Sequence, residues 1–439
     1  MKRKRFFWTR LIAFSIITAV IAVGFVWADN IETFVNANIL GNHPHEGGLA
    51  VHFISGVGQA DAAVVQFPNG QVMVVDAGAP NDNSRNALLH YMTNYIFPHN
   101  TPRSIDLFVA THSHADHIGG AANSFNMTSA LFDNFYVSHI IRPISFTMAE
   151  IEADIHRDQF GIETRPTMHD TAIFRNFVTR INSHTCINGQ ASIVTIPYVG
   201  KQMHFGDAYI KFYSPTRPFY GNLNSTPGAS GDNAINQTST VFSLNYAGRR
   251  VLFTGDAYIY NEDNIINTLD ANGRTIFGTL PGEIYKVDVL DVGHHGSNTS
   301  TGLNLLRKIQ PTYAVIQVGA ANSYGHPHTA LINRLVQYVN PYNILTTMDD
   351  GDILIQIRAD GQLTVAGVIQ SDLPGILSGL SNWFATNGFW VEYWMIAIPI
   401  IILSFLLLLA MDFFGKNNAS NTRKNTNRRN QAIPGNRRR

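Results

Sequence analysis

The sequence predicts an α+β fold, with two β-sheets stacked as a sandwich, helices outside them, and a membrane-spanning helix at each end. Three observations lead there. Short β-type runs alternate with helical ones through the middle of the chain. The strand-rich halves are punctuated by helices, the pattern of two sheets packed on one another. Two long apolar runs bracket the whole.

Residues 11–27 are apolar apart from Ser15, Thr18 and Gly24, and Phe6, Phe7 and Trp8 extend the run. A bilayer-spanning helix needs ~20 such residues. A cleaved signal sequence would have a shorter apolar stretch and a clearer cleavage site than Val26-Trp27-Ala28. Residues 1–27 are therefore read as a basic tip and an uncleaved anchor. The domain at 48–368 follows. Its expected strands lie at 49–54, 62–67, 71–75, 105–110, 134–141, 209–213, 240–246, 250–253, 286–292, 313–318 and 344–357. Its expected helices lie at 85–95, 147–157, 172–183, 301–309 and 329–339. Pro68-Asn69-Gly70, Asp350-Gly351 and Asp360-Gly361 are hairpin signals. The region 142–205 has a weak strand signal and reads as an insertion. Residues 221–238, rich in Gly, Asn and Ser, read as a loop. After a linker at 369–389, residues 390–412 read as a second membrane helix. Met395 to Met411 carry no charge, and Trp390, Tyr393 and Trp394 stand at the near edge like interfacial aromatics. Residues 413–439 are basic and polar and are expected to be disordered.

Hydrophobic residues make up 45% of the chain, enough for a sizeable core, while only 14% are charged, which again suggests membrane segments. Net charge is zero but unevenly spread. Both tails are basic, so both termini are expected to be cytoplasmic and the acidic middle of the chain outside. The basic tail then has anionic lipid as its simplest partner. Residues 28–388 hold 18 basic and 29 acidic residues, a net of −11. That excludes a global basic field for drawing in a polyanion. Cys186 is the single cysteine, which excludes an intramolecular disulfide and a Cys-rich zinc ribbon.

The chemistry is concentrated in Thr111-His112-Ser113-His114-Ala115-Asp116-His117. It follows a β-run and precedes Gly119-Gly120. His112 and His114 alternate by two, so both can face one side of an extended segment. Asp116 continues that period and His117 follows as the chain turns. Three imidazoles and a carboxylate within six residues supply N and O ligands for zinc, manganese or iron.

The His-x-His-x-Asp-His pattern resembles the signature of the metallo-β-lactamase superfamily. Further segments resemble the metallo-hydrolase domain of ComEC-type DNA-uptake proteins. They are Gly56-Val57-Gly58-Gln59-Ala60-Asp61-Ala62, Val74-Val75-Asp76-Ala77-Gly78, Phe253-Thr254-Gly255-Asp256, Asp291-Val292-Gly293-His294-His295-Gly296-Ser297 and Asn322-Ser323-Tyr324-Gly325-His326-Pro327-His328. The resemblance spans about residues 48–368 and does not extend to the multi-helix channel of those proteins. It implies a four-layer αββα sandwich holding two divalent ions, with zinc the first choice and manganese the second. It gives His112 and His114 to a first metal, Asp116 and His117 to a second, and Asp256 to a bridging position. His294 is expected to complete the second site, with His326 and His328 as rivals from the same edge. The family's third first-site histidine has no clear counterpart; His139, His156, His169, His184 and His204 fall in the right interval. Asp61 and Asp76 are expected to orient imidazoles. Besides Asp116, His295 and His326 are catalytic candidates, either one as proton donor to a leaving group, and Ser297 with its glycine turn as a hydrogen-bond donor to an oxyanion.

Three functions follow from these readings. The first is a phosphodiesterase acting on extracellular nucleic acid or nucleotides. The second is an esterase, lactonase or hydrolase of a phosphorylated envelope component. The third is a non-enzymatic, metal-stabilised envelope factor, against which the full His112–His117 set and Asp256 argue.

Overall fold

Side chains alternate across each strand, and here both faces are apolar. Val251 and Phe253 enter one core cluster while Leu252 enters another. Val315 and its neighbours Ala314 and Ile316 divide the same way. A strand buried on both faces must sit between two layers. The computed structural model describes residues 48–97, 103–122, 129–163, 167–215, 232–320 and 322–368.

Six strands open the fold: β1 (Leu49–Phe53), β2 (Ala63–Gln66), β3 (Val72–Val75), β4 (Ser104–Val109), β5 (Tyr136–Ile141) and β6 (Ile193–Thr195). Seven more form a second sheet: β7 (Gln202–Phe205), β8 (Ala208–Phe212), β9 (Phe242–Tyr246), β10 (Arg249–Phe253), β11 (Val289–Asp291), β12 (Tyr313–Ile316) and β13 (Ile344–Thr346). The chain then returns to the first sheet as β14 (Asp352–Ile357) and β15 (Leu363–Val368). The sheet orders are β15-β14-β1-β2-β3-β4-β5-β6 and β13-β12-β11-β10-β9-β8-β7. Each sheet is antiparallel on one side and parallel on the other, with β3 to β6 and β10 to β13 parallel.

Val51, Phe53, Leu107 and Val109 of the first sheet meet Phe242, Phe253 and Val289 of the second in the inter-sheet core. Helices cover the outer faces. Ala172–Ser183 shows why: Thr171 caps it, its hydroxyl accepting from Phe174 N at 3.2 Å. Phe174, Phe177, Val178 and Ile181, spaced i, i+3, i+4, i+7, bury one stripe against the first sheet. Helices Leu303–Ile309 and Thr329–Leu335 cover the second sheet in the same manner. The result is the expected four-layer αββα sandwich.

Several expectations need correction. The region 142–205 is not an appendage to the sheets. Helix Ala172–Ser183 is the crossover that carries β5 to β6, which pair in parallel. The run 344–357 is two strands in different sheets, so Asp350-Gly351 connects the sheets and is no hairpin. The helix expected at 147–157 breaks at Asp154, whose φ of +51° ends one short helix and starts the next. Of the loop expected at 221–238, the described part begins with helix Asp232–Asn236. The two-pass membrane placement is also corrected: among the described residues no helix is long and apolar enough to cross a membrane. The runs 11–27 and 395–411 behind that placement, the linker and the basic tail lie outside the described residues.

Candidate metal centre

Five of the parallel strands end at one edge of the sandwich, where loops can converge on a ligand. β3 delivers Asp76, β4 delivers Thr111 to His117, β10 delivers Asp256, β11 delivers His294 and His295, and β12 delivers Gln317 and the loop to His328. Asp61 reaches the same edge just before β2, whose Ala63 pairs with Val75 at the end of β3.

Close packing fixes these loops. After the single turn Ala115–Ile118, a Cβ on Gly120 would fall 2.0 Å from the Ala77 carbonyl oxygen, so only glycine fits. Gly255 has φ +49° and faces Thr111, whose Cβ would lie 2.8 Å from a Cβ there. Asp76, His294 and His295 all have positive φ, at 55°, 55° and 52°. Such backbone costs ~1–2 kcal/mol per residue and is found where the surroundings impose it. His294 N is held by Gly255 O at 3.0 Å, which ties the β11 turn to the β10 turn.

The Asp256 carboxylate sits at the centre. Its Oδ2 lies 3.6 Å from His112 Nε2 and 3.5 Å from His294 Nε2. Its Oδ1 lies 3.2 Å from His117 Nε2 and 3.9 Å from His295 Nε2. Two donor sets therefore share it. His112, His114 and Asp256 form one, and Asp116, His117 and His295 the other, each with its ligand atoms within 4.8 Å of one another. A third group, Asp61, Asp76 and His117, gathers its donor atoms within the same distance and shares His117 with the second set. Asp76 accepts from Thr111 N at 2.8 Å and Thr111 Oγ1 at 2.6 Å, and lies 2.8 Å from His117 Nδ1. A carboxylate accepts, so Nδ1 donates and Nε2 is left to face the centre. His295 repeats the design: Nδ1 donates to Gln317 O at 3.1 Å and lies 2.9 Å from Asp61 Oδ1.

The electrostatics favour a cation here. Burial alone pushes His117 and His295 down, but Asp256 with Asp76, and Asp61 with Asp256, overcome it and hold them well above the usual range. Burial and the His117 charge hold His112 well below it. Burial pushes Asp256 up, yet His294, His117 and His112 keep it well below the carboxylate range. His117 Nε2, His295 Nε2 and Asp256 Oδ1 are buried and make no hydrogen bond. Each such atom costs ~1–3 kcal/mol when nothing satisfies it. Three of them facing one another among carboxylates fit divalent ions, and the donor set of imidazole and carboxylate fits them too.

The structure places two neighbours differently from expectation. His295, read as a proton donor, joins Asp116 at 3.3 Å in the second donor set. His294, read as the second-site ligand, faces Asp256 Oδ2 beside His112. Of the five histidines considered for the first site, His169 approaches, its ring 5.7 Å from His114 and its Nδ1 2.7 Å from Ser113 Oγ. His139 bonds Thr195, His156 packs on Phe146, His184 bonds Phe135 O and His204 lies against Tyr209. His326 stands at the rim, 5.7 Å from the His294 ring, its Nδ1 3.1 Å from Gln59 Nε2. Ser297 does not face the centre; it bonds Thr299 Oγ1, which in turn bonds His294 Nδ1, both at 2.9 Å. His328 accepts from Asn298 N at 3.0 Å and lies edge-on to His326. Sequence reasoning missed Thr111 and Gln317. Gln317 spans Ala62 N at 3.0 Å and Asp291 at 3.2 Å. The available signal was a polar side chain just past an apolar strand, as with Asp76.

Residues 55–125 match the family model described as Metallo-beta-lactamase superfamily. The chain is 31% identical over 133 residues to ComE operon protein 3 of Bacillus subtilis, covering 30% of this chain and 15% of that protein. It is 37% identical over 105 residues to Recombination protein 2 of Haemophilus influenzae, covering 24% and 11%. The chain thus spans 15% or less of the length of these two relatives. Among solved structures, the metallo-beta-lactamase fold protein YhfI of Bacillus subtilis aligns with a TM-score of 0.34 at 12% identity, covering 73% of this chain and 100% of that one.

Proposed function

We propose that this chain, which carries a metal-dependent hydrolase domain of the metallo-β-lactamase superfamily and resembles the ComEC-type competence proteins, is a phosphodiesterase acting on nucleic acid or nucleotides. The observation that carries the reading is the Asp256 carboxylate, one oxygen turned to each donor set. A pair of ions supplies a water acidified to near neutrality and a two-sided clamp on a transferring phosphate. Zinc is the first candidate and manganese the second. His112, His114 and Asp256 would hold one ion, and Asp116, His117, His295 and Asp256 the other.

The chain's own residues do the rest. Asp76 and the Gln317 carbonyl lock the imidazoles of His117 and His295 with Nε2 inward, and the Asp61 carboxylate stands 2.9 Å from His295 Nδ1. Asp116 is about one-third exposed and meets the incoming substrate. Burial, with the His294 and His328 imidazoles beside it, pushes His326 down to about 4. At neutral pH it is therefore uncharged and offers a hydrogen bond at the rim more readily than a proton. The names of the relatives, an operon protein of the ComE locus and a recombination protein, support nucleic acid as the substrate class.

The full-length chain, loaded in turn with zinc and manganese, should cleave bis-p-nitrophenyl phosphate and single-stranded DNA. Turnover of a lactone panel without any phosphodiester cleavage would overturn the reading.

A further inference from the structure

Three rings, His294, His326 and Tyr324, run from the shared carboxylate toward solvent, with Tyr258 beside the first. His294, 3.5 Å from Asp256 Oδ2, stacks on Tyr258 with centroids 5.5 Å apart and planes at 21°. It meets His326 edge-on at 5.7 Å. His326 lies nearly parallel to Tyr324, 5.7 Å away at 24°. Tyr324 ends the row and is 68% exposed.

We propose that Tyr324, backed by His326, is a platform on which an unpaired nucleobase beside the scissile phosphate stacks, so that the centre acts on single-stranded in preference to duplex nucleic acid. This deepens the phosphodiesterase reading and rests on it.

The loop that carries Tyr324 is built in advance. Asn322 Oδ1 accepts from His326 N at 2.9 Å, and its Nδ2 donates to Gly319 O and His326 O, both at 2.8 Å. Gln59 ties the same loop down, accepting from Gly319 N at 3.1 Å. Gly319 packs so closely that a Cβ would come within 2.7 Å of the Gln59 and Gly58 backbone. Gly325, at φ +73°, makes the turn between the two rings. A loop already held in place loses little freedom when a ligand stacks on the ring it presents.

Charge supplies the second argument. Residues 28–388 carry a net of −11, so no broad basic field holds a polyanion here. Affinity must come from contacts at the centre. Stacking on an aromatic side chain is a sequence-tolerant source of it, open to unpaired bases whose faces are free. A duplex hides those faces.

The test uses the full-length chain as wild type, Tyr324→Ala and Tyr324→Phe. The substrates are an oligothymidylate, its abasic counterpart and a duplex. Tyr324→Ala should raise KM for the oligothymidylate about tenfold with kcat little changed, and Tyr324→Phe should restore it. The abasic strand should show the higher KM already in wild type and gain nothing further in Tyr324→Ala. The duplex should be the poorer substrate. The metal-free chain should lose affinity for a phosphorothioate oligothymidylate in parallel. Equal KM in wild type and Tyr324→Ala, or a duplex cut as readily as the single strand, overturns the platform and leaves the phosphodiesterase reading standing. No phosphodiester cleavage by any form overturns both.

Discussion

His294 and His295 are adjacent in sequence, yet they serve different oxygens of Asp256. Two consecutive residues in left-handed backbone turn the pair so that each ring reaches a separate donor set. Nothing in the letters Gly293-His294-His295-Gly296 reveals that geometry, so the letters alone do not say which ring reaches which donor set. The His112–His117 cluster was legible because its chemistry is local: four imidazole and carboxylate donors lie within six residues. Asp76 and Asp61 stand 2.8 Å and 2.9 Å from His117 Nδ1 and His295 Nδ1, whereas the Gln317 backbone carbonyl that holds His295 gives no sign in the letters; only its side chain, polar and just past an apolar strand, does. These placements separate the variants. His295→Ala should bind one metal fewer per chain, and His294→Ala should keep the Asp116 set loaded; equal metal loss in both would contradict the assignment. Asp61→Asn should weaken the second site by ~10–100-fold while leaving its ligands in place, as a metal titration would show.

At the scale of elements, the strands with strong β-branched runs were legible and the weak ones were not. β6 is β-branched throughout, Ile193-Val194-Thr195, but three residues are too short a run to stand out. β13 and β14 read as one run with a turn at Asp350-Gly351, because a turn signal does not say whether the chain doubles back in one sheet or passes to the other. Helix Ala172–Ser183 was legible because its cap and its apolar stripe agree. Two elements offer direct tests. Gly120→Ala would drive a Cβ against the Ala77 carbonyl, and a backbone clash of this kind should cost at least ~2 kcal/mol. The urea midpoint should fall and metal affinity with it; an unchanged midpoint would show that the two loops can part freely. Glu262, on helix Ile259–Asn267, accepts from Thr301 N at 2.6 Å and Gly302 N at 2.7 Å and anchors the end of the His294–His295 loop. Burial pushes it up to about 7, against the pull of those two N–H groups. A carboxyl raised above its unfolded value holds a proton that the unfolded chain releases. Its contribution is therefore full below about pH 4.5 and is lost as pH rises through about 7. Stability relative to Glu262→Gln should fall by an amount on the order of 3 kcal/mol across that window; a pH-independent difference in denaturation free energy would contradict it.

At the scale of the whole molecule, both sheets follow one plan, antiparallel on one side and parallel on the other, and the parallel ends face the same edge. That arrangement brings six loops, spread from Asp61 to His328, around one carboxylate. The sandwich was legible from strand density, and the order of motifs placed the edge. The two-pass placement rested on composition at the chain's ends and found no membrane-length apolar helix among the described residues. The central claim is that Asp256 joins two metal sites into one centre. The most direct measurement is metal content per chain by inductively coupled plasma mass spectrometry, for wild type, Asp116→Ala and Asp256→Ala. The expected result is two equivalents in wild type, about one in Asp116→Ala and fewer than one in Asp256→Ala, with phosphodiesterase activity lost in both variants. A wild-type chain that binds no metal, or an Asp256→Ala chain that keeps two equivalents, would contradict the claim.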